Sequence, residues 1–275
     1  MAGILYLVAT PIGNLEDISA RALRILSEVD CVAAEDTRVS GGLLHHFGIK
    51  KPLVSYYEQN KHIRGPALLE RLLQGESIAL ISDAGTPAIS DPGADLTRAA
   101  IDAGIQVTPI PGPCAFVSAL IASGLSTERF VFEGFLPRHH GERKRRLQSL
   151  AGEERTLIFY EAPHRLPETL ADMAEVLGPQ RKAVLARELT KLHEEYLRLT
   201  LAEAAELYRQ QQPRGEYVLI VAGGESRRSP PPDLQALQDR LEKLLEQGMS
   251  RKQAAKTLAG QYGLPVKSVY ELGLK

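Results

Sequence analysis

Ile78-Ala-Leu-Ile-Ser-Asp-Ala-Gly-Thr-Pro-Ala-Ile-Ser-Asp-Pro-Gly93 is the stretch on which the reading of this chain turns. Ile78–Ser82 is an apolar run of strand length, and from Ala94 to Ala103 apolar residues recur at helical spacing. Between them, Ser82–Gly93 packs two Gly, two Pro and two Asp into twelve residues. A plain strand-to-helix connection needs only about two to six residues. Gly85 and Gly93 permit close backbone approach or positive φ, the prolines stiffen the loop, and Asp83 and Asp91 are acceptors for a ligand amine or hydroxyl. An ordinary turn with Asp at helix N-caps is the plain alternative.

The same strand–loop–helix rhythm extends to both sides. Ile4–Ala9, Cys31–Ala34, Leu53–Tyr56 and Gln106–Ile110 read as further strands, with Ile18–Val29 and Arg64–Leu73 as helices. Strands alternating with helices predict a largely parallel sheet covered on both faces, with ligands bound beyond the carboxyl ends of the strands. Thr10-Pro-Ile-Gly-Asn14 then lies on the same rim as Ser82–Gly93, and so does Glu35-Asp-Thr-Arg38, which also reads as a capped helix start with a salt bridge. Neither is a dinucleotide-binding or Walker pattern. Pro111-Gly-Pro113 opens a helix in which backbone groups of Cys114 and Ala115 face a ligand or simply pack.

A second alternating unit starts near Phe130. Phe130–Phe135, Thr156–Tyr160, Ala183–Ala186 and Tyr217–Ala222 read as strands, His164–Leu177 and Leu201–Gln211 as helices. Pro137–Arg146 carries five cations, two His and one acid, and reads as a charged loop that a nucleic-acid backbone would suit. Ser226–Pro232, with three consecutive Pro, reads as a linker, followed by short helices over Leu234–Gln247, Arg251–Tyr262 and Pro265–Leu272, with Ser250 as N-cap of the second.

Composition narrows the field. In 275 residues, 33 Lys and Arg nearly balance 34 Asp and Glu, so any nucleic-acid signal must be local. Residues 226–275 hold nine Lys and Arg against five Asp and Glu, a local net of +4. With no Trp and 5% aromatic residues, a binding surface built mainly on base stacking is disfavoured. Two isolated cysteines, Cys31 and Cys114, predict no disulfide framework and no metal site, as expected of a cytoplasmic protein. The N-terminal apolar run is too short for a signal peptide or membrane span.

The loops resemble one family together. Thr10-Pro-Ile-Gly-Asn-Leu15, Glu35-Asp-Thr-Arg38, Ser82-Asp-Ala-Gly-Thr-Pro87 with Ser90-Asp-Pro-Gly93, Pro111-Gly-Pro113, Glu133-Gly-Phe-Leu-Pro137, Tyr160-Glu161 with His164-Arg165, and Arg187-Glu-Leu-Thr-Lys191 occur in this order in the bacterial ribosomal RNA small subunit methyltransferase I family, a branch of the tetrapyrrole methylases. The resemblance covers residues 4–224, with a similar helical tail. It implies two α/β domains of the tetrapyrrole-methylase type, residues 1–112 and 113–225, with S-adenosylmethionine in the cleft between them. A linker (226–232) and a helical RNA-binding module (233–275) complete the chain. It further implies a homodimer that methylates the ribose 2′-oxygen of a decoding-centre cytidine in 16S ribosomal RNA, within an assembled or nearly assembled small subunit.

The cofactor-binding residues so implied are Asp83, Ala84, Gly85, Thr86, Ile89, Cys114, Ala115, Tyr160, Glu188, Leu189 and Glu216. Asp36, Glu161, His164 and Lys191 are candidates to help the hydroxyl lose its proton. Arg38, Arg138, Arg143, Lys144, Arg145 and Arg146, with Arg251, Lys252 and Lys256 of the tail, are candidates for RNA contacts. A small-molecule tetrapyrrole methylase and a non-catalytic RNA-binding assembly factor are the alternatives. The basic segment and the tail speak against the first, and methyl transfer to small subunits separates the second.

Overall fold

The computed structural model describes residues 2–224, 233–262 and 264–272, and the chain divides into two compact units, residues 1–224 and 225–275. The first unit holds two five-stranded sheets.

The first sheet orders its strands β3-β2-β4-β1-β5, from β1 (Ile4–Val8), β2 (Cys31–Ala34), β3 (Leu53–Ser55), β4 (Ile78–Ile81) and β5 (Gln106–Ile110), all parallel. Parallel pairing needs crossover helices, which cover both faces, so β2 and β4 are buried at every position. Leu5, Cys31, Ala33, Ile78 and Leu80 pack on one face with Leu68, Leu72 and Leu96 of helices α3 (Lys61–Leu73) and α4 (Gly93–Asp102). Val8, Val32, Ala79 and Ile81 pack on the other against Ala22, Ile25 and Leu26 of α1 (Ala20–Glu28). Ser19 caps α1, its Oγ accepting from Ala22 N at 3.0 Å.

The second sheet orders β6-β7-β10-β8-β9, from β6 (Phe130–Phe135), β7 (Thr156–Glu161), β8 (Lys182–Arg187), β9 (Glu195–Thr200) and β10 (Tyr217–Val221). Only β6 and β7 run parallel; the other pairs are antiparallel. One face carries α6 (His140–Leu150), α7 (Leu166–Leu177) and α8 (Leu201–Gln210), and the other carries α5 (Ala115–Ser123).

Three elements go beyond the sequence reading, the first of them read only at its capped start. Helix α2 (Thr37–His46) buries only Ser40 and Leu44 and holds Gly41 and Gly42, so both its apolar stripe and its propensity are weak. Strand β9 is a sheet edge whose Leu197 and Leu199 join the core on one face, while Tyr196 packs on the opposite face beside α5 and Arg198 donates to the carbonyls of Ala122 and Ser123 there. Helix α6 replaces most of the expected charged loop. Its buried stripe is Arg143, Leu147 and Leu150, and an arginine at the first position hides the apolar period.

In the second unit, α9 (Leu234–Glu246), α10 (Arg251–Tyr262) and α11 (Val266–Tyr270) enclose their own core of Leu237, Leu241, Ala254, Ala255, Leu258, Tyr262 and Val269. Ser250 Oγ accepts from Gln253 N at 3.4 Å at the start of α10. The expected linker 226–232 lies outside the described residues. No helix among the described residues is long and apolar enough to cross a membrane.

Candidate active site

Four loops leave the carboxyl ends of β1, β2, β4 and β5, and hydrogen bonds lace them together. Thr10 N donates to Gly85 O at 2.9 Å and Gly85 N returns a bond to Thr10 O at 3.1 Å. Thr86 Oγ1 donates to Pro113 O at 2.9 Å, and Asp36 N donates to Asp83 Oδ1 at 2.9 Å. The β4–α4 loop is held from within by Asp91, whose Oδ1 accepts from Ala88 N at 2.9 Å and Gly93 N at 2.7 Å. That grip sustains a backbone in which Ala88 (φ 68°) and Ser90 (φ 64°) both sit in the left-handed region. Each such non-glycine residue costs of order 1–3 kcal/mol, and such strain gathers at functional sites.

Loops of the second half face them. Gly13 lies so close to the segment after β8 that a Cβ there would fall 2.5 Å from Lys191 Cγ and 2.9 Å from Leu189 O. Glu188 (φ 50°) and Thr190 (φ 63°) are again left-handed. Together the loops enclose a cavity of about 510 Å³. Of the residues expected to hold the cofactor, Asp83, Ala84, Gly85, Thr86, Ile89, Cys114, Ala115, Tyr160, Leu189 and Glu216 line it. Glu188 does not; its Oε1 lies 3.0 Å from Lys191 Nζ, which also meets Glu216 Oε2 at 3.1 Å. The Lys191 ammonium holds the Glu188 carboxyl below its ordinary value. Burial pulls Lys191 down, but the carboxylates of Glu188 and Glu216 more than offset it and leave its pKa raised.

The four candidates for the hydroxyl proton are not brought together. Asp36 caps α2 through Arg38 N at 2.8 Å and binds the Arg38 guanidinium at 2.6 Å, which holds its carboxyl at about 2. The capped helix with a salt bridge, the plain reading of that segment, is what forms. Glu161 lines the cavity but is buried, its Oε2 accepting from Thr169 Oγ1 at 2.6 Å and its Oε1 from Ala162 N at 2.9 Å. His164 is exposed and is not part of the cavity lining, and Lys191 sits between its two carboxylates.

The carboxylate that the sequence reading did not single out is Glu35, the last residue before the α2 cap. It lines the cavity beside Asp83 and Asp91. Among the described residues no side chain donates to it, and burial first, then the charges of Asp83 and Asp91, push its pKa up. Asp91 is raised by burial too, and burial pushes the Tyr160 hydroxyl to about 12. Ile12, Ser82, Ser90, Phe135, Ala162, Pro163, Tyr217 and Val218 complete the wall. Asp91, expected as a ligand acceptor, spends its Oδ1 on the loop's own amides, and the signal for Glu35 was present, since it follows a strand in a loop already quoted. Phe135 and Tyr217 sit at strand ends, and although Phe135 lies in the Glu133–Pro137 motif, neither side chain by its type marks a cavity wall.

Two of the candidate RNA contacts are corrected by their surroundings. Arg143 is 1% exposed, so its guanidinium offers nothing to an outside phosphate. It donates through Nε to Asp172 Oδ2 at 2.6 Å and through Nη1 to Arg138 O at 3.2 Å. Arg251 joins α10 to α11 through the carbonyls of Tyr270 and Leu272. Lys144 pairs with Glu175 at 2.7 Å and Arg146 with Glu133 at 2.6 Å. Arg38, Arg138, Arg145, Lys252 and Lys256 are exposed.

A cavity of this size falls within the roughly 300–1,000 Å³ usual for small-molecule sites. Backbone of Ala84 and Gly85, apolar Ile12, Ile89 and Val218, and the carboxylates Glu35, Asp83 and Asp91 suit an organic cation with an apolar part. Residues 4–205 match the family of Tetrapyrrole (Corrin/Porphyrin) Methylases, and the chain belongs to that family. The ribosomal RNA small subunit methyltransferase I of Synechocystis sp. is 50% identical over 273 residues, 99% of this chain and 98% of that protein. The enzyme of the same name from Bacillus subtilis is 45% identical, over 98% of this chain and 93% of its own. The uroporphyrin-III C-methyl transferase from Thermus thermophilus complexed with S-adenyl homocysteine shares the fold, with a TM-score of 0.59 at 19% identity over 80% of this chain and 97% of that one.

Proposed function

We propose that this chain is an S-adenosylmethionine-dependent methyltransferase that methylates the ribose 2′-oxygen of a decoding-centre cytidine in 16S ribosomal RNA. One observation carries the reading: identity near one half to ribosomal RNA small subunit methyltransferase I runs through 99% of the chain, tail included. The tetrapyrrole enzyme of like fold covers 80% of it. A small-molecule methylase has no evident need of a basic helical tail. The enzyme acts in the cytoplasm as a homodimer on assembled or nearly assembled small subunits.

When bound, S-adenosylmethionine supplies a methyl group activated by a sulfonium charge. Gly85, Ala84 and Ala115 would admit the donor to close backbone contact, Ile12, Ile89, Leu189 and Val218 would cover its apolar parts, and Asp83 and Glu216 would hold its polar groups. Asp91 keeps the β4–α4 loop in its strained form, so the site is pre-organised before the ligand arrives. Transfer would need the hydroxyl nucleophile held in line with the donated methyl group, and the wall residues would supply that positioning, which can carry much of the acceleration. Glu35 accepts the hydroxyl proton: it lines the cavity and, among the described residues, is committed to no side-chain donor. Lys191 is a positioning residue that holds Glu188 and Glu216 on the rim. Exposed Arg38, Arg138, Arg145, Lys252 and Lys256 meet phosphates.

The test is transfer of labelled methyl groups to unmethylated small subunits, to naked 16S RNA and to a tetrapyrrole, followed by mass spectrometry of the digested RNA. Methyl on the 2′-oxygen of one cytidine is expected. Methyl on a base or only on the tetrapyrrole overturns the assignment. Binding to small subunits without transfer would make the chain an assembly factor.

A further inference from the structure

Phe135 is the last residue of β6 and is 54% exposed, yet it lines the cavity. Isolated exposed apolar residues are commonplace on protein surfaces. Three features set this one apart.

The first is a β-bulge that aims it. The register of β6 on β7 pairs Phe132 with Ile158 but Gly134 with Phe159, so β6 spends two residues where β7 spends one. Up to Phe132 the strand alternates regularly: Val131 joins the core under α6 and α7, and Phe132 packs on the opposite face with Ile158 and Tyr160. Unbroken alternation would send Phe135 to the face of Val131. The extra residue reverses the parity, so Phe135 stands opposite Tyr160 on the cavity side and Leu136 takes the core position. Gly134 makes this possible at φ 63°, where a Cβ would come within 3.2 Å of Ser90 Oγ in the β4–α4 loop.

The second is a backing of rings. Phe132 stacks on Phe116 with centroids 4.5 Å apart, Tyr160 stands edge-on to Phe132 at 5.0 Å, and Phe135 lies 5.6 Å from Tyr160. Phe135 is the open end of that row.

The third is a clamped loop. Arg165 Nη2 donates to Leu136 O at 2.8 Å and Pro137 O at 3.2 Å, and buried Arg143 Nη1 donates to Arg138 O at 3.2 Å. Two guanidiniums therefore fix three consecutive carbonyls immediately after Phe135, and the exposed side chain of Arg138 rises from that fixed segment.

A rigid, half-open aromatic ring at the mouth of a methyl-transfer cavity, with a cation three residues on, matches the chemistry of a nucleotide: a flat π-surface and a phosphate. We propose that Phe135 stacks on the base of the nucleoside whose ribose enters the cavity, and that Arg138 pairs with a phosphate beside it. The assignment rests on the RNA substrate proposed above. Low aromatic content rules out a broad stacking surface, and the fold places one ring where one base is needed.

The test compares Phe135→Ala, Phe135→Leu and Phe135→Trp in methyl transfer to unmethylated small subunits, with calorimetry of S-adenosylmethionine on each. Loss of one base–aromatic stack raises the half-saturating subunit concentration roughly tenfold in Phe135→Ala. Phe135→Leu stays impaired, because it restores apolar area without a π-face, and Phe135→Trp recovers. Donor affinity is unchanged in all three. Arg138→Ala lowers the slope of log affinity against log salt by about one. If Phe135→Leu matches the wild type, or if Phe135→Ala weakens the donor as much as the RNA, stacking on the base is refuted while the methyltransferase reading stands. A wild-type chain that transfers no methyl to RNA overturns that reading and this one with it.

Discussion

Arg143→Ala removes the largest fully buried side chain among the described residues and leaves its partner behind. The Arg143 side chain is 2% exposed and that of Asp172 is 6%, and their Nε–Oδ2 separation is 2.6 Å. After truncation Asp172 keeps only His140 Nδ1 at 3.2 Å, from a ring that is 64% exposed. Breaking a buried pair by removing one partner typically costs about 3–5 kcal/mol, because the other charge is stranded. The freed Arg138 carbonyl adds about 1 kcal/mol where water replaces the bond poorly. Taking about 4 kcal/mol, and about 2–4 °C per kcal/mol for a unit of this size, the main thermal transition falls by roughly 8–16 °C. Scanning calorimetry reads the loss. Arg143→Met with Asp172→Leu removes both charges and recovers most of it, since a buried pair replaced by apolar side chains is often neutral. Arg145→Ala, two residues or just over half a turn further along and so on the exposed side of α6, leaves the transition in place. A transition for Arg143→Ala within about 1 kcal/mol of the wild type would show that the pair contributes little and that the buried-charge argument fails here.

Thr86→Arg fills the cavity and removes the bond to Pro113 O, so calorimetry should find no S-adenosylmethionine binding in a folded protein; retained affinity would take this loop out of the site. For Glu35 the pKa is raised above 4.5 by burial and by Asp83 and Asp91, so its stability contribution is complete below that value and is lost as pH rises through the folded pKa. Glu35→Gln is therefore stabilised over the wild type at pH 7–8 but not at about pH 4, and its methyl-transfer rate is low and has lost the acidic limb of the pH profile. Thermal midpoints that shift equally at both pH values would refute the first part, and an unaltered acidic limb the second. Removing residues 233–275 leaves donor affinity unchanged and raises the RNA concentration for half-maximal rate, because the module adds effective concentration rather than chemistry. Sedimentation checks the competing role: a truncated chain that becomes monomeric with RNA affinity intact would make the module a dimerisation element.

The parallel sheet was legible along the chain because its strands are short apolar runs and every crossover but α2 is an amphipathic helix, both local patterns with periods of their own. So were the cavity loops. Ser82–Gly93 is too rich in Gly, Pro and Asp for a simple connection, and ten of the eleven residues expected to hold the cofactor do line one cavity. Backbone-facing loops at strand ends are set by short-range chemistry, and short-range chemistry is what a sequence displays. Where a side chain points is different, because it depends on partners far away in the chain. Arg143 sits in an Arg-Lys-Arg-Arg run that reads as one charged surface, yet α6 rolls its first arginine onto Asp172, 29 residues away, while Arg145 stays outside. Asp36 and Glu35 are neighbours in one motif; the start of α2 consumes the first as a cap and turns the second to the cavity. Phe135 belongs to a strand that alternates on paper, and only pairing with β7, which forces a bulge at Glu133–Gly134, decides that its ring faces the cavity and not the core. Period and composition determined the elements and the loops that matter; register, helix rotation and buried charge pairing, which arise only when distant segments meet, decided which residues within them reach the site.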